Sequence, residues 1–467
     1  MATPIFQHTE ASTGTTGYKD FNLRAINIMA SGMVTLDVKP MMVELSYYED
    51  IFSNTTSGKL IINDIQGLIE QCHIHGNEYI RISFAKDSDD EDCFYIDKLF
   101  RIFSISDRQK LNNSQTEGYV INFCSDELLL SEQYRISKSY PGKTIKEIVI
   151  DILENDLKAP INKFDKKNIQ DTSGTYSFII PNLKPFHAIE WLSQYAKPAD
   201  TTQIGSDMIF FENAKDGYVF SSMQALFSKE STYTFKYGAK NLQKSDYECL
   251  EDFFFNVISY TYHKNFDVLE GIHNGTFANR LLSLDILQHS YNVTDYDYEK
   301  NSQNATTLNN NPVVNNLQNR FGHALNQTPN GLLRVAMSNA NQYDNPFIAA
   351  RPGSVSQDIS VETFLTQRKS QLAINSYTTI QAVLGGNPTL SVGQTVDFNI
   401  VAVTPDKQKP QDSFYAGKYL ISAIRHTIQV GGYNTVCELI KDSNMSPYNN
   451  VDNDSPIWKN TVAGVKK

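Results

Sequence analysis

The tightest group of possible metal ligands in this sequence is Cys72-His73-Ile74-His75. Thiolate and imidazole groups are the ligands that zinc prefers in proteins. His73 and His75 would share a face if the segment were a strand, but no second Cys or His pair follows at zinc-site spacing. Two interpretations stay open, a metal site and a solvated strand end or loop, and the missing second pair favours the latter.

A run of acidic residues between positions 87 and 92 is the second candidate for chemistry. Its carboxylates, in Asp87-Ser-Asp-Asp-Glu-Asp92, could bind calcium or supply an acid–base pair. The run lies between two apolar segments and lacks the ligand spacing of a calcium loop. Because clustered carboxylates repel one another unless an ion is bound, the sequence favours a solvated hairpin tip.

His187 and His426 are the remaining candidates for a catalytic base. No serine or cysteine in a recognisable motif accompanies either, so each is predicted to be a packed or hydrogen-bonded histidine. Searches for a nucleophile elbow, a phosphate-binding glycine loop, a zinc-protease motif and a dinucleotide fingerprint find nothing. We therefore predict no catalytic, cofactor-binding or metal-binding residues, no cofactor and no enzyme activity.

Length and composition bound the remaining possibilities. The chain has 467 residues, which predicts about three or four domains. Its formal net charge of -11 argues against a protein whose main task is to bind nucleic acid. No stretch approaches the ~20 apolar residues of a membrane span and no export signal is evident, so we predict no membrane anchor and folding in a cytoplasm. The cysteines are odd in number and widely spaced, which predicts buried free thiols: Cys72, Cys93, Cys124, Cys249 and Cys437.

Two regions have the alternation of apolar and polar residues that is typical of β-strands. The first covers residues 42–124 and the second residues 375–442. Gly431-Gly432 predicts a hairpin turn that uses positive φ. In the long strand before this turn, one parity is predicted to be buried, and its polar members need partners: Leu420, Ser422, Ile424, His426, Ile428 and Val430.

Between these regions the period changes to that of helices. Thr144 and Glu147 form a predicted capping box, and Pro185 suits the first turn of a second helix that ends at Lys197-Pro198. A strand at residues 176–180 precedes this second helix and a hairpin at 208–220 follows it, with its turn at Asp216-Gly217. Residues 126–205 are therefore predicted to form an α/β insertion.

The stretch 291–358 is rich in asparagine and poor in apolar anchors. Such a composition forms a core poorly, so a long loop or an extended arm that docks elsewhere is predicted. Ser360 can cap the helix that leads from this stretch into the second β region.

Several segments, taken in their order along the chain, resemble the central baseplate hub protein of contractile-tailed bacteriophages. This tail-tube-like hub family is related to the hub part of type VI secretion spikes. The segments are Ser57-Gly-Lys-Leu-Ile-Ile-Asn-Asp64, Cys124-Ser-Asp-Glu-Leu-Leu-Leu-Ser131, Pro141-Gly-Lys-Thr-Ile-Lys-Glu-Ile-Val149, Ile180-Pro-Asn-Leu-Lys-Pro-Phe-His-Ala-Ile-Glu-Trp-Leu192, Leu390-Ser-Val-Gly-Gln-Thr-Val-Asp-Phe398 and Tyr415-Ala-Gly-Lys-Tyr-Leu-Ile-Ser-Ala-Ile-Arg-His426.

The resemblance implies a mainly β fold with an α/β insertion (α+β), made of two tail-tube-like β-barrel domains plus inserted smaller domains. The expected divisions are an N-terminal extension (1–34), a first barrel (35–125, completed by about 206–255), the insertion (126–205), the start of a second barrel (256–295), an Asn-rich arm and helix (296–375), the rest of the second barrel (376–442) and a C-terminal tail (443–467).

The same resemblance implies a structural virion protein located in the tail baseplate. It would form a homotrimer whose pseudo-sixfold ring joins the tail tube to the central spike and lets DNA pass on ejection. The implied partners are the spike, tail-tube or tube-initiator proteins and other baseplate (wedge) proteins, with DNA only in transit. The alternative left open is a glycan-binding or glycan-processing tail protein.

Overall fold

The structure is a computed structural model. It describes residues 21–30, 34–85, 95–110, 116–200, 202, 206–237, 255–264, 266–285, 289–302, 305–313, 324, 326, 334–337, 364–406, 409–412 and 414–446. The acidic run 87–92, Cys93, Cys249 and Ser360 lie outside these residues.

Strands are the main element of the fold. They are β1 (Asn22–Ala30), β2 (Val34–Asp37), β3 (Met42–Asp50), β4 (Ser57–Asp64), β5 (Tyr79–Ala85), β6 (Tyr95–Lys110), β7 (Glu117–Cys124), β8 (Ile136–Lys143), β9 (Tyr176–Leu183), β10 (Met208–Asn213), β11 (Gly217–Ser222), β12 (Tyr233–Tyr237), β13 (Val257–Lys264), β14 (Ala278–Asp285), β15 (Ser290–Asp297), β16 (Asn311–Pro312), β17 (Arg334–Met337), β18 (Thr378–Gly385), β19 (Thr395–Asp406), β20 (Lys409–Gln411), β21 (Gly417–Gln429), β22 (Gly432–Lys441) and β23 (Ser443–Asn444).

Helices are short and lie mostly between the two β regions. They span Leu68–Cys72, Asp126–Gln133, Ile145–Asp151, Pro185–Ser193, Met223–Phe227, Val268–Asn274, Tyr298–Ser302 and Leu365–Asn375, with single turns at Lys39–Met41, Ile152–Asp156 and Lys166–Asn168. No helix in the described part of the chain is long and apolar enough to cross a membrane.

One large sheet runs through both β regions, in the order β13-β18-β22-β21-β3-β4-β7-β6-β5-β1-β2. β19 branches from β21 and also pairs with β12 and β20. We call β1–β7 the first strand group, and β12, β13 and β18–β22 the second. The expected closed barrels are not found among the described strands, because the path of paired strands ends at β13 and at β2, and β12 reaches the start of β13 only through the isolated bridge Lys236–Asn256. The fold is mainly β, with one open and largely antiparallel sheet.

Each strand group has its own core. The first core includes Tyr47, Phe84 and Phe123, and the second includes Phe398, Leu420 and Cys437. The two cores meet at the β21–β22 hairpin, because Ile428 and Tyr433 pack into the first core. The large sheet is therefore held together by side chains as well as by its backbone ladder.

The predicted buried face of β21 is confirmed at most of its positions. Five of the six residues are buried, whereas Val430 is 81% exposed because it lies in the turn beyond the end of the strand. The polar members have partners: the Ser422 hydroxyl donates to Glu438 Oε1 over 2.7 Å, and Tyr433 Oη lies 2.8 Å from His426 Nδ1. A register shift after Ile421 also buries residues of the other parity, which strict alternation had not predicted.

The β21–β22 turn forms where Gly431-Gly432 predicts it, but without the expected positive φ. Of the described glycines, neither Gly431 nor Gly432 has a left-handed backbone. A different glycine is constrained by packing: a Cβ on Gly386 would lie 2.0 Å from Cδ1 of the Tyr433 ring. This ring belongs to the first core, so no side chain fits at position 386 unless the ring moves.

We expect Gly386→Ala to lower the free energy of unfolding by about 1–3 kcal/mol, because the added methyl group overpacks a closed core. Denaturant unfolding followed by tryptophan fluorescence measures this loss. Gly431→Ala is the matched control, since nothing lies within 4 Å of its Cβ position. The control is expected to change stability by less than about 0.5 kcal/mol. Equal effects of the two changes would contradict the packing explanation.

The α/β insertion has the predicted elements. Glu147 N–H donates to Thr144 Oγ1, and the Glu147 carboxylate accepts from Thr144 N–H, so the capping box is confirmed. The second helix begins at Pro185 as predicted but ends at Ser193, before Lys197-Pro198, because a tighter turn follows it. The strand at 176–180 and the hairpin of β10 and β11 are also confirmed.

The Asn-rich stretch contains more regular structure than its composition predicts. Residues 291–302 form most of β15 and a helical turn, and β15 pairs with β14 in a separate three-stranded sheet. The following segment, residues 305–313, docks on the second strand group. There Asn309 Nδ2 donates to Lys418 O over 3.0 Å, and Asn309 Oδ1 accepts from Lys418 N–H over 3.0 Å. In this segment, an asparagine side chain therefore binds the backbone of β21.

Candidate assembly interface

A buried group of charges lies where the insertion meets the first strand group. Glu212, at the end of β10, is fully buried and accepts hydrogen bonds from Thr56 N–H over 3.0 Å and Ser125 Oγ over 2.6 Å. Lys98 Nζ lies 3.3 Å from Glu212 Oε1, and Lys163 Nζ lies 3.8 Å from the same atom. The Glu212 carboxylate thus ties β10 to the start of β4 and the end of β7, and Lys163 adds a contact from the insertion.

The two lysines decide the protonation state of this carboxylate. Burial alone would raise the pKa of Glu212, but Lys98, Lys163 and the Ser125 hydroxyl bring its pKa below the ordinary value. Lys163 also forms an ion pair with Glu127 over 2.8 Å. Its ammonium group therefore lies close to two carboxylates, those of Glu127 and Glu212. Burial alone would lower the pKa of Lys163, but Glu212 and Glu127 raise it, so Glu212 and Lys163 form a buried ion pair that stabilises this junction.

Glu49 on β3 makes the corresponding connection to the second strand group. Its carboxylate accepts from Ala214 N–H over 2.8 Å, from Ser391 Oγ over 3.0 Å and from Val392 N–H over 3.2 Å. Burial raises its pKa above the ordinary value, although Lys98 opposes this shift. One side chain therefore joins β3, the β10–β11 turn and the loop before β19.

The backbone ladder between β21 and β3 is the central feature of the candidate interface. From Ala423 to Gln429, β21 pairs antiparallel with β3, and Thr427 opposes Ser46. Arg425 Nη2 lies 3.2 Å from Glu44 Oε1 across the ladder. Two strand groups that are far apart in the sequence are thus joined edge to edge within one chain.

β6 and β21, the longest strands of their groups, are built alike. Each pairs along one edge with the strand that follows it, β7 or β22. Each carries one extra residue early in that pairing, namely Phe103 in β6 and Ser422 in β21. Because bulges sit at defined places in a sheet, their coincidence gives a residue-level match between the groups.

β3 and β13 match in the same way. Each pairs antiparallel with the next strand of its group, β4 or β18, and each has a one-residue shift near its start. The extra residues are Val43 and Ile258, which are apolar and 38% and 41% exposed. β3 and β13 therefore share both the one-residue bulge and a partly exposed apolar side chain at that bulge.

The loops before β5 and β19 repeat as well. Ile102 N–H donates to Glu78 O over 3.0 Å, and Ile421 N–H donates to Gln394 O over 2.9 Å. The side chains of Glu78 and Gln394 each accept from the backbone N–H three residues earlier. The two strand groups are thus copies of one pattern, although their sequences show no repeat of fixed period.

The predicted chemical candidates do not converge in the described part of the chain. His73 follows a short helix and His75 lies in the next loop, so the segment is a loop and not a strand. His187 is exposed, so of the two expectations, a packed or a hydrogen-bonded histidine, the first is wrong. His426 is buried beside Tyr433, and burial lowers its pKa to about 3, so it stays neutral. The described residues contain no group of three or more His, Cys, Asp or Glu side chains that could hold a metal ion.

The described cysteines are free. Cys124 and Cys437 are buried as predicted, while Cys72 is half-buried. Burial raises the pKa of the Cys124 thiol to about 12. Because the thiolate is the reactive form, this cysteine is inert at neutral pH.

Comparisons with known proteins place the fold. No protein-family model and no curated protein sequence matches the chain. A tail protein from Neisseria meningitidis matches with a TM-score of 0.51 and 9% identity, over 91% of this chain and 97% of its own. A 43 kDa tail protein of prophage MuSo2 from Shewanella oneidensis matches with a TM-score of 0.50 and 9% identity, over 90% of this chain and 98% of its own. The chain has the fold of phage tail proteins.

The features that organise this tail-protein fold leave little signal in the sequence. Alternation predicts the strands of each group, but it does not indicate that β21 pairs with β3. The buried ion group was missed because Lys98, Lys163 and Glu212 are widely spaced. One signal was available: a single glutamate in the apolar run of β10 and a single lysine in the apolar part of β6 are unusual unless they are paired.

Proposed function

We propose that this chain is a structural virion protein, the central hub of the baseplate of a contractile phage tail. Its tail-protein fold and the hub-like segments of its sequence support the proposal. The observation that carries it is the β21–β3 ladder, because it sets two strand groups of matching construction side by side in one chain. A protein that supplies two of the six similar units of a ring needs that arrangement.

The domain divisions follow from the same proposal. Residues 35–125, completed by about 206–255, are assigned to one tube-like domain, and 256–295 and 376–442 to the other. Two strands extend this division: β1 pairs with β5 of the first domain, and β12, although it lies within 206–255, pairs with β19 of the second. The insertion at 126–205 and the arm and helix at 296–375 are additions to this pair. Contacts of Glu212 support the assignment of β10 to the first domain, because its carboxylate accepts from Thr56 N–H and Ser125 Oγ of that domain.

Trimerisation explains why two similar groups are useful. Three chains with two tube-like units each give six units around a ring, so a sixfold tail tube can mate with one face and a threefold spike with the other. Contacts between unlike edges generate closed rings when the rotation closes. The proposed partners are therefore two further copies, the spike, tube or tube-initiator proteins, and wedge proteins of the baseplate.

DNA passes through such a ring only in transit. The formal net charge of -11 supports this role, since like charges disfavour adhesion of a nucleic acid to the wall. Neutralising carboxylates that line the lumen is expected to slow DNA ejection from assembled virions. Unchanged ejection kinetics in such variants would remove the electrostatic part of the proposal.

Electron microscopy of the chain mixed with the spike protein of the same tail tests the role. We expect threefold rings with six similar lobes, each capped on one face by a spike. The rival role, a glycan-binding or glycan-processing tail protein, predicts single particles that bind or cleave host oligosaccharides. A monomer that binds such a sugar and ignores the spike would overturn the hub proposal.

A further inference from the structure

The two strand groups share their construction but differ in how their outer edges are used. Beyond the bulge at Ser422, β21 pairs with β3. Beyond the matching bulge at Phe103, residues 104–110 of β6 have no partner strand on that edge among the described strands. The equivalent backbone is thus paired in one group and open in the other.

The complementary edge is open too. β3 uses its outer edge to pair with β21, whereas its counterpart β13 ends the sheet. At the start of this edge, β12 reaches β13: Lys236 bridges Asn256 and donates its N–H to Phe255 O, and the Tyr237 ring contacts the Tyr260 ring edge-on. Beyond these contacts, no described strand pairs with this edge of β13. Within one chain, the edges of β21 and β3 are therefore joined, whereas the matching edges of β6 and β13 have no partner strand among the described strands.

Exposure follows the same division. Ser46 and Tyr47 at the β21–β3 junction are buried, but Thr261 on β13 is exposed. Ser422 is fully buried, whereas Phe103 at the matching place is 50% exposed. Exposed strand edges of this length invite pairing, and natural proteins cover or blunt them. These two edges carry apolar bulge residues, and no strand in the described part of the chain covers them.

We propose that residues 104–110 of β6 pair antiparallel with β13 of a second copy of this chain, repeating between copies the β21–β3 ladder found within each chain. The inference rests on the proposed ring and assigns its contact strands. Junctions within and between chains then alternate around the ring. The occupant is a second copy because the chain itself carries both open edges: β13 of one copy matches β6 of the next, as β3 matches β21 within the chain.

Strand pairings within the chain also fix the register. Thr427 opposes Asn434 on β22, and Gln109 opposes Gly118 at the matching place on β7. Ser46 opposes Lys59 on β4, and Thr261 opposes Gln381 at the matching place on β18. β6 has a second register shift between Ser106 and Gln109 that β21 lacks, so the match is taken through β7. Because Thr427 faces Ser46 across the junction, this match places Gln109 of one copy opposite Thr261 of the next.

Cysteine cross-linking tests this register. Chains with Gln109→Cys are mixed with chains with Thr261→Cys and oxidised, alone and with the spike protein of the same tail. We expect a covalent dimer on a non-reducing gel, at least tenfold more abundant than with either variant alone. Six strands separate β6 from β13 within one chain, so a link inside a chain cannot produce this band.

Ser259→Cys replaces Thr261→Cys in the control for register. Diagonal neighbours lie about 7–8 Å apart, which is beyond the usual reach of a disulfide. The chain carrying both Gln109→Cys and Thr261→Cys is expected to give a covalent trimer. Light scattering of the reduced variants distinguishes the strand assignment from the ring itself. Trimers that form no disulfide on oxidation would overturn the assignment of β6 and β13 alone. Monomers would overturn the proposed ring as well.

Discussion

Glu212→Gln is expected to lower the free energy of unfolding by about 3–5 kcal/mol, because it removes one charge from a buried ion group and leaves the other charges in place. Glu212 is fully buried, and both Lys98 and Lys163 lie within 4.0 Å of it. Glutamine keeps the shape of the side chain, so the loss reports the Lys98 ammonium left without its carboxylate, and not a cavity, while Lys163 keeps Glu127. Urea unfolding at neutral pH measures the effect.

Asp295→Asn is the control for this prediction. Asp295 also pairs with a cation, through two hydrogen bonds from Arg280 of 2.6 and 2.9 Å, but its side chain is half exposed. Exposed pairs contribute about 0–1 kcal/mol, so a small loss is expected here. A Glu212→Gln loss no larger than that of the control would show that the buried group does not hold the insertion in place.

Asp207→Asn is expected to act in the opposite direction and to raise stability above neutral pH. Asp207 is buried, its Oδ2 accepts from Gln224 N–H over 3.2 Å, and its Oδ1 has no partner among the described residues. Burial raises its pKa from 3.8 to about 6, with Arg368 opposing and Asp442 adding to the shift. Asparagine removes the buried charge and retains an acceptor for Gln224.

The sign of this pH dependence follows from linkage. Since the folded pKa lies above the unfolded one, Asp207 holds its proton more tightly in the folded chain, and stability falls as pH rises from about 4 to about 6. A shift of about two units corresponds to about 3 kcal/mol. Asp207→Asn should therefore gain up to about 3 kcal/mol at pH 8 and little at pH 4. Asp171→Asn, at an exposed side chain, serves as control, and a uniform gain at all pH values would contradict the assignment.

Local sequence rules predict the elements of this fold well. Thr144 and Glu147 predict a helix start because a capping box satisfies backbone donors locally. Alternation predicts β21 and β22, and the turn between them needs only adjacent residues. The end of the Pro185 helix was predicted too late, because its last turn tightens through contacts that the helical period does not encode.

Long-range pairing is the part that local rules do not reach. β3 and β21 are separated by most of the chain, and either edge of β21 is compatible with its alternation. The composition of 291–302 predicts an irregular arm, but pairing with β14 makes a strand of it. Glu49 and Glu212 appear in the sequence only as polar residues within apolar strands, and their partners come from other segments.

Light scattering of the purified chain, alone and with the spike protein of its tail, tests the central claim most directly. The account predicts a particle of three chains of 52.8 kDa each, formed by the chain alone or on addition of the spike, with the spike bound. A mass of one chain under both conditions, without spike binding, would contradict the hub.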